Sequence, residues 1–208
     1  VYDFDRFSAA DIMPMFAKYR ITTFCAPPTM LRMLIKEDIS KYDFSSVRHM
    51  STAGEALNPE VYRQFLSATG QKIYEGFGQT ESTLILGNFA DFGEPIQGSL
   101  GKPSPVYDVV LIDDDENVIG NNQEGEIAIR LTKDQIGLVT NYKNDPERTL
   151  QARGGAFYHT GDLATRDDNG VYWYVGRKDD IIKSSGYRIG PFEIESVIME
   201  LPYVLECG

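Results

Sequence analysis

Three short strand-like segments, at residues 21–26, 47–52 and 71–74, alternate with segments of helical period and constrain this chain more than any other feature. Strand, helix, strand, helix in that order implies a parallel sheet with crossover helices, because parallel strands need a connection long enough to return across the sheet. The run at 21–26 is β-branched and stopped by Pro27-Pro28, so it reads as a buried strand. Ahead of it, Met15, Phe16 and Tyr19 follow a helical spacing behind a cap at Ser8 or Asp11, with Pro14 acceptable in a first turn. Behind it, Thr29 can cap a helix through Ile35. Asn58-Pro59 supplies a cap and first-turn proline for a helix whose Val61, Phe65 and Leu66 face inward until Gly70 ends it. Sheets of this kind bind ligands at the carboxyl ends of their strands.

Beyond residue 87 the pattern changes. Gly and Pro recur through Pro105, and the chain after that proline is strand-like: 107–112 and 126–131 flank an acidic, Asn-rich turn, and 163–166 and 171–175 flank Asp167-Asp168-Asn169-Gly170, a hairpin signal. The fold class is therefore α/β. A parallel-sheet subdomain is expected over 1–105, a small β-barrel subdomain over 106–178, and the start of a small α+β C-terminal domain over 179–208. The last includes a helix behind Gly190-Pro191 with Ile194, Val197, Ile198 and Leu201 on one apolar face. Val1 opens directly into an apolar, aromatic stretch and 203–208 begin an extended pattern and stop, so the chain reads as a piece of a longer polypeptide.

Twenty Lys and Arg stand against 31 Asp and Glu, a formal charge of −11 that would repel nucleic acid and anionic membranes. An anionic ligand must then be met by local cations or a metal ion. No apolar run reaches the roughly 18 residues of a membrane span, which argues against integral membrane association, and the chain reads as soluble. Cys25 and Cys207 lie far apart without Cys/His clustering. They read as small packed residues in a reducing cytoplasm, not as a disulfide or zinc site.

Four clusters sit where strands meet loops. In Ser51-Thr52-Ala53-Gly54-Glu55-Ala56-Leu57 a strand runs into a glycine that lets backbone approach a flat ligand, or simply turns. In Tyr74-Glu75-Gly76-Phe77-Gly78-Gln79-Thr80-Glu81-Ser82 two glycines leave a ring face open for a base, and the hydroxyl and carboxylate after them suit a phosphate and its Mg²⁺; a tight structural turn explains the same residues. In Tyr158-His159-Thr160-Gly161-Asp162-Leu163 an acid after glycine can accept from a vicinal diol or can form a turn, and His159 reads as structural. In residues 176–190 the cations Arg177, Lys178, Lys183 and Arg188 concentrate beside glycines, which suits an anion or a solvated linker.

Together these segments resemble the adenylate-forming superfamily of acyl-CoA synthetases, luciferases and peptide-synthetase adenylation domains. Phe77-Gly78-Gln79-Thr80-Glu81 is similar to that family's Tyr-Gly-x-Thr-Glu motif, Thr160-Gly161-Asp162 to its ribose-binding motif, and 176–195 to its hinge and crossover loop. Cys25-Ala26-Pro27-Pro28-Thr29, Ala53-Gly54-Glu55 and the segment from Asp180 to Pro191 most resemble medium-chain acyl-CoA synthetases.

The resemblance implies an enzyme that joins a carboxylic acid to AMP from ATP and passes the acyl group to coenzyme A. It implies that Gly54 and Glu55 border adenine, and that Glu75, Gly76, Phe77, Gly78 and Gln79 supply backbone and the stacking ring. Phe77 replaces the usual tyrosine. Thr80 would touch the α-phosphate, Glu81 would hold Mg²⁺, Asp162 and Arg177 would grip the ribose, and Arg188 would lie near the phosphate or acyl carboxylate. Asp179 matches the hinge, and Ser185, Gly186 and Tyr187 match the pantetheine path. The family's Gly/Ser/Thr-rich phosphate loop and its adenylation lysine are not among these residues, so the isolated chain is expected not to turn over ATP at a useful rate. A carrier-protein adenylation domain, an aryl-CoA ligase, and a non-catalytic nucleotide-binding or oligomerisation module are the competing readings. Homo-oligomerisation is left open.

Overall fold

The computed structural model describes residues 7–185, 187–198, 201, 203, 204 and 207, and all of these but Arg188 and Ser196 with their side chains. Helix α1 (Ala9–Tyr19) starts at Ser8, whose hydroxyl accepts from the Asp11 N–H, and ends in left-handed Arg20 at φ 50°. Pro14 lies beyond the first turn, so the helix forgoes the bond its N–H would have made. Met13 and Phe16 are buried, whereas Tyr19 is exposed.

Strand β1 (Thr23–Cys25) leads into α2 (Pro28–Ile35), then β2 (His49–Ala53), α3 (Pro59–Thr69) and β3 (Ile73–Gly78). The first three strands pair in parallel, as the alternation predicts. Asn58 caps α3 through Glu60 N–H, with Pro59 next and Gly70 closing it at φ 69°. Two expectations are corrected. β1 is an edge strand, paired with β2 on one side, so Thr23 and Cys25 are exposed and not buried. Thr29 does not cap α2, which starts at Pro27 without a side-chain cap; its hydroxyl donates instead to the Glu55 carboxylate.

Strands β4 (Leu84–Gly87) and β5 (Lys102–Pro103) extend the sheet antiparallel in the order β1-β2-β3-β4-β5. A second sheet comprises β6 (Val109–Ile112), β7 (Glu124–Arg130), then, after α4 (Pro146–Arg153), β8 (Phe157–Arg166) and β9 (Tyr172–Arg177). The barrel expected over 106–178 is an open four-stranded antiparallel sheet in the order β6-β7-β8-β9. Four strands are too few to close around a filled interior. The sheet buries its face against β4: Ile85 and Leu86 share a core with Leu111, Ile127, Tyr158 and Tyr172. The first sheet packs its helices over a separate core around Met13, Phe16, Leu31 and Phe65.

A hairpin, β10 (Ile182–Ser184) and β11 (Tyr187–Ile189), precedes α5 (Pro191–Ile198). Phe192 meets Tyr174 edge-on at 6.0 Å. The apolar face expected on this helix is exposed at Ile194, Val197 and Leu201. Gly186, residues 1–6, and residues 205, 206 and 208 lie outside the described residues.

The two sheets are joined by backbone. Leu100 N–H donates to Tyr172 O and Tyr172 N–H donates to Gly101 O, each at 2.8 Å. Gly101 has φ +78°, and a Cβ there would meet the Gly87 carbonyl, which is rigid backbone. Gly101→Ala is therefore expected to destabilise the chain by about 3 kcal/mol through a strained φ and an immovable clash. Urea unfolding measures it, and a loss under about half a kcal/mol would show that the junction tolerates a side chain.

Candidate functional site

The carboxyl ends of β2 and β3 open onto a cavity of about 280 Å³ facing the β8–β9 pair. Gly54, Glu55, Glu75, Gly76, Phe77, Gly78, Gln79, Asp162 and Arg177 all line it, joined by Ala56, Leu100 and Tyr174. Parallel pairing sets Ala53 beside Gly76, which brings the first two sequence clusters together, and antiparallel pairing sets Asp162 opposite Arg177.

The glycines have separate causes. Gly54 has φ +101° with nothing near the position of a Cβ, so the chain turns there with an open side. Gly76 and Gly78 belong to a strand, not to a tight turn. A Cβ on Gly76 would meet Leu84, and one on Gly78 would lie 2.6 Å from Thr83 O. Close approach of β4, with a register shift at Phe77/Gly78, requires Gly78, where the neighbour is backbone, whereas the Leu84 side-chain tip facing Gly76 can shift. Phe77 between them packs partly on the second core and partly lines the cavity.

At the other end Asp162 is 4% exposed. Gln79 Nε2 donates to its Oδ2 at 2.7 Å and to Thr160 O at 2.8 Å. Tyr158 OH donates to Gln79 Oε1 at 2.8 Å. Tyr174 OH donates to Asp162 Oδ1 at 3.4 Å, and Arg177 Nη1 lies 3.5 Å from Oδ2 while donating to Thr160 O at 3.0 Å. Burial pushes the Asp162 carboxyl up, and the opposing pull of Arg177, Gln79 and Tyr174 does not cancel it. Gly161 takes φ +73°, and a Cβ there would stand 3.0 Å from the Arg177 guanidinium, so this turn is built to let the arginine pass.

Thr80 and Glu81 line a second cavity of about 480 Å³ that shares Gln79 and Arg177 with the first. Tyr142 OH donates to Glu81 Oε1 at 2.9 Å, and Arg148, whose guanidinium sits 4.2 Å over the Tyr142 ring, approaches the same oxygen at 3.8 Å. Among the described residues no three His, Cys, Asp or Glu gather to hold a metal ion. One carboxylate in a roomy polar cavity fits Mg²⁺, which takes few protein ligands and completes its shell with phosphate oxygens and water.

Sequence reasoning missed Glu126. It is 5% exposed on β7 and accepts from Gly161 N–H at 3.0 Å, with His159 Nδ1 at 3.4 Å and Lys178 Nζ at 3.4 Å. Burial alone would push its carboxyl up, but donation from His159 and Gly161 outweighs that and holds it below the ordinary value. The same bond to Glu126 pulls His159 up, in keeping with its structural reading. An acid alternating with apolar residues on a strand reads as an outward position, so nothing in the sequence marks it.

The segment after β9 stands apart from both cavities. Asp179 accepts from Arg177 Nε at 3.2 Å. Ser185, at φ 50°, and Tyr187, 73% exposed, lie on the β10–β11 hairpin and line neither cavity. Gly186 and the side chain of Arg188 lie outside the described residues. No helix among the described residues is long and apolar enough to cross a membrane.

The sequence matches the family model described as AMP-binding enzyme over residues 1–134. It is 47% identical over 203 residues to acyl-coenzyme A synthetase ACSM3, mitochondrial, of Rattus norvegicus, covering 97% of this chain and 35% of that protein. It is 44% identical over 208 residues to ACSM5, mitochondrial, of Homo sapiens, covering 99% and 36%. The chain thus spans about a third of the length of the curated relatives it matches. Among solved structures, the anthranilate CoA ligase AuaEII in complex with anthranoyl-AMP superposes with a TM-score of 0.87 at 30% identity, covering 96% of this chain and 38% of that one. ATP-bound MatB from Rhodopseudomonas palustris gives 0.85 at 25% identity, covering 98% and 40%.

Glu75, 7% exposed on β3, receives one backbone bond from Leu57 N–H at 2.9 Å, and burial pushes its carboxyl from 4.5 to about 7. The folded state therefore holds this proton more tightly than the unfolded one. The resulting stability is fully present below the unfolded value and is lost as pH rises through about 7. Glu75→Gln should remove that loss, making the variant more stable than its parent above neutrality by on the order of 2–3 kcal/mol and no more stable near pH 4. Urea unfolding at both pH values reads the difference, and an advantage independent of pH would refute the assignment.

Proposed function

The chain belongs to the AMP-binding enzyme family, and from that premise we propose that it is a nucleotide-binding portion of an AMP-forming acyl-CoA synthetase. The observation that carries this reading is convergence: Gly54, Phe77, Asp162 and Arg177, scattered over more than half the sequence, line one cavity. The cavity combines what a nucleoside needs, an aromatic ring and open backbone from the first sheet and a buried acid beside an arginine from the second.

In the proposed reaction the acid's carboxylate oxygen attacks the α-phosphorus of ATP and pyrophosphate leaves. CoA thiolate then attacks the acyl-adenylate and AMP leaves. The protein's part is positioning and charge neutralisation. Phe77 offers a ring face to adenine without the hydroxyl of a tyrosine. Gly54 and Glu55 border the base, and Thr29 and Arg32 hold the Glu55 carboxylate at 2.9 and 3.5 Å. Asp162 accepts the ribose hydroxyls, with Arg177 beside it. Thr80 reaches the α-phosphate from the second cavity. Mg²⁺, held by Glu81, would neutralise phosphate charge that the acidic chain cannot. Arg188 and the residues Ser185, Gly186 and Tyr187 serve the phosphate or acyl group and the pantetheine path, with Asp179 as hinge. Lys178, held 2.8 Å from Asp114 and 3.4 Å from Glu126, anchors the chain immediately before that hinge.

The acid itself is open between aliphatic and aryl classes, since relatives of both kinds superpose or align on this chain. The unpaired cysteines support a reducing compartment, the cytoplasm being one; the mammalian relatives are named as mitochondrial.

Two measurements test the reading. The longer polypeptide carrying this segment should form AMP in a CoA-dependent way with one class of an aliphatic and aryl acid series, whereas dependence on a carrier-protein thiol would favour the adenylation-domain alternative. In the 208-residue chain, Asp162→Ala should weaken AMP binding by at least about tenfold. Unchanged affinity by calorimetry would remove Asp162 from the site.

A further inference from the structure

We propose that Gln79, oriented by Tyr158, is a positioning residue that aims the Asp162 carboxylate at the ribose, acting through that acid without touching the nucleotide. The inference rests on the ribose reading of Asp162 and adds to it what holds the acid in place.

The amide of Gln79 is fully engaged by protein. Its two N–H groups go to Asp162 Oδ2 at 2.7 Å and Thr160 O at 2.8 Å, and its oxygen receives Tyr158 OH at 2.8 Å. The reversed amide would set its oxygen against a carbonyl and a carboxylate, both acceptors, so Thr160 O and Asp162 fix the one orientation that can donate to Asp162, and the Tyr158 hydroxyl holds the amide there by donating to the oxygen. Tyr158 is 2% exposed and has no freedom to follow a rotated partner. For Gln79 to bind a ligand directly it would have to release a charge-assisted bond.

The geometry also apportions the Asp162 oxygens. Oδ2 takes the short bond from Gln79 and faces Arg177 at 3.5 Å, while Oδ1 has a long contact of 3.4 Å from Tyr174. A carboxylate has about four lone-pair positions. Gln79 occupies one on Oδ2 and leaves Oδ1 the less committed oxygen. Because Gln79 comes two residues after Phe77, the same stretch of chain that carries the ring also aims the acid.

Calorimetry with AMP and with 2′,3′-dideoxy-AMP on the parent chain, Gln79→Leu, Tyr158→Phe and Asp162→Asn tests the proposal. Gln79→Leu and Tyr158→Phe should each lose about tenfold on AMP, the worth of one charge-assisted bond, yet remain within about twofold of the parent on the dideoxy nucleotide. Added to Asp162→Asn, Gln79→Leu should cost nothing further, because the two act on one contact. Equal losses on both nucleotides would overturn the proposal, since a residue that merely supports the fold cannot distinguish them. If Gln79→Leu fails to fold, Tyr158→Phe carries the same comparison at the cost of one hydroxyl. A parent chain that binds AMP no more tightly than the dideoxy nucleotide overturns the ribose reading and the proposal together. That result differs from failure of the proposal alone, in which the parent prefers AMP and the variants keep the preference.

Discussion

Two backbone hydrogen bonds, between Tyr172 and the Leu100–Gly101 pair, set the separation of the sheets, and the cavity exists because of that separation. Strand ends of the first sheet supply Gly54 and the segment from Glu75 to Gln79; the second sheet supplies Asp162, Tyr174 and Arg177. Neither sheet alone makes this cavity. Side chains could not fix this spacing as firmly, because rotamers adjust whereas a paired backbone does not. Gly101 permits the approach, and Gly78 lets β4 lie close enough to carry Ile85 and Leu86 into the shared core. Glycines that read from sequence as ligand clearance thus serve packing first.

Much of this was legible in the sequence, for identifiable reasons. The parallel β1-β2-β3 unit comes from apolar period and from punctuation by Asn58-Pro59 and Gly70, both local signals. Cavity residues were found through motifs in which residue types sit at fixed offsets. Features that were not legible depend on long-range pairing. The edge position of β1, which exposes Cys25, depends on what stands beside it, and no local pattern reports that. The open form of the second sheet depends on strand count, whereas strand-like sequence looks alike in a barrel and in a sheet. Thr29 has the composition of a cap but bonds Glu55, a partner 26 residues away.

A chain with a formal charge of −11 must still receive an anion at the proposed site. It does so by local arrangement. Arg177 shares its charge with Asp162 and Asp179, and Arg148 lies against Glu81, so neither cation acts as a strong isolated charge. Such pairing keeps the cavities from being basic, and the first sets Glu55, Glu75 and Asp162 against Arg177. Selectivity then falls to hydrogen-bond geometry, with phosphate charge left to the metal ion that Glu81 is proposed to hold.

Three buried acids show where that geometry is unfinished. Glu126 receives Gly161 N–H, His159 and Lys178, and its carboxyl is held low: the protein satisfies it. Glu75 receives one backbone N–H and is pushed to about 7. Asp162 has an amide, a phenol and a guanidinium nearby and is still pushed up, so burial costs more than its partners return. Both acids whose carboxyls are pushed up line the first cavity, and the one held low does not. A buried carboxyl lacking donors is a demand that a ligand can meet. Adenosine, the proposed occupant, brings donors at two separated places, its vicinal ribose hydroxyls and its exocyclic amino group. The cavity is therefore better matched to a nucleoside than to a simple anion, which has only acceptors to offer.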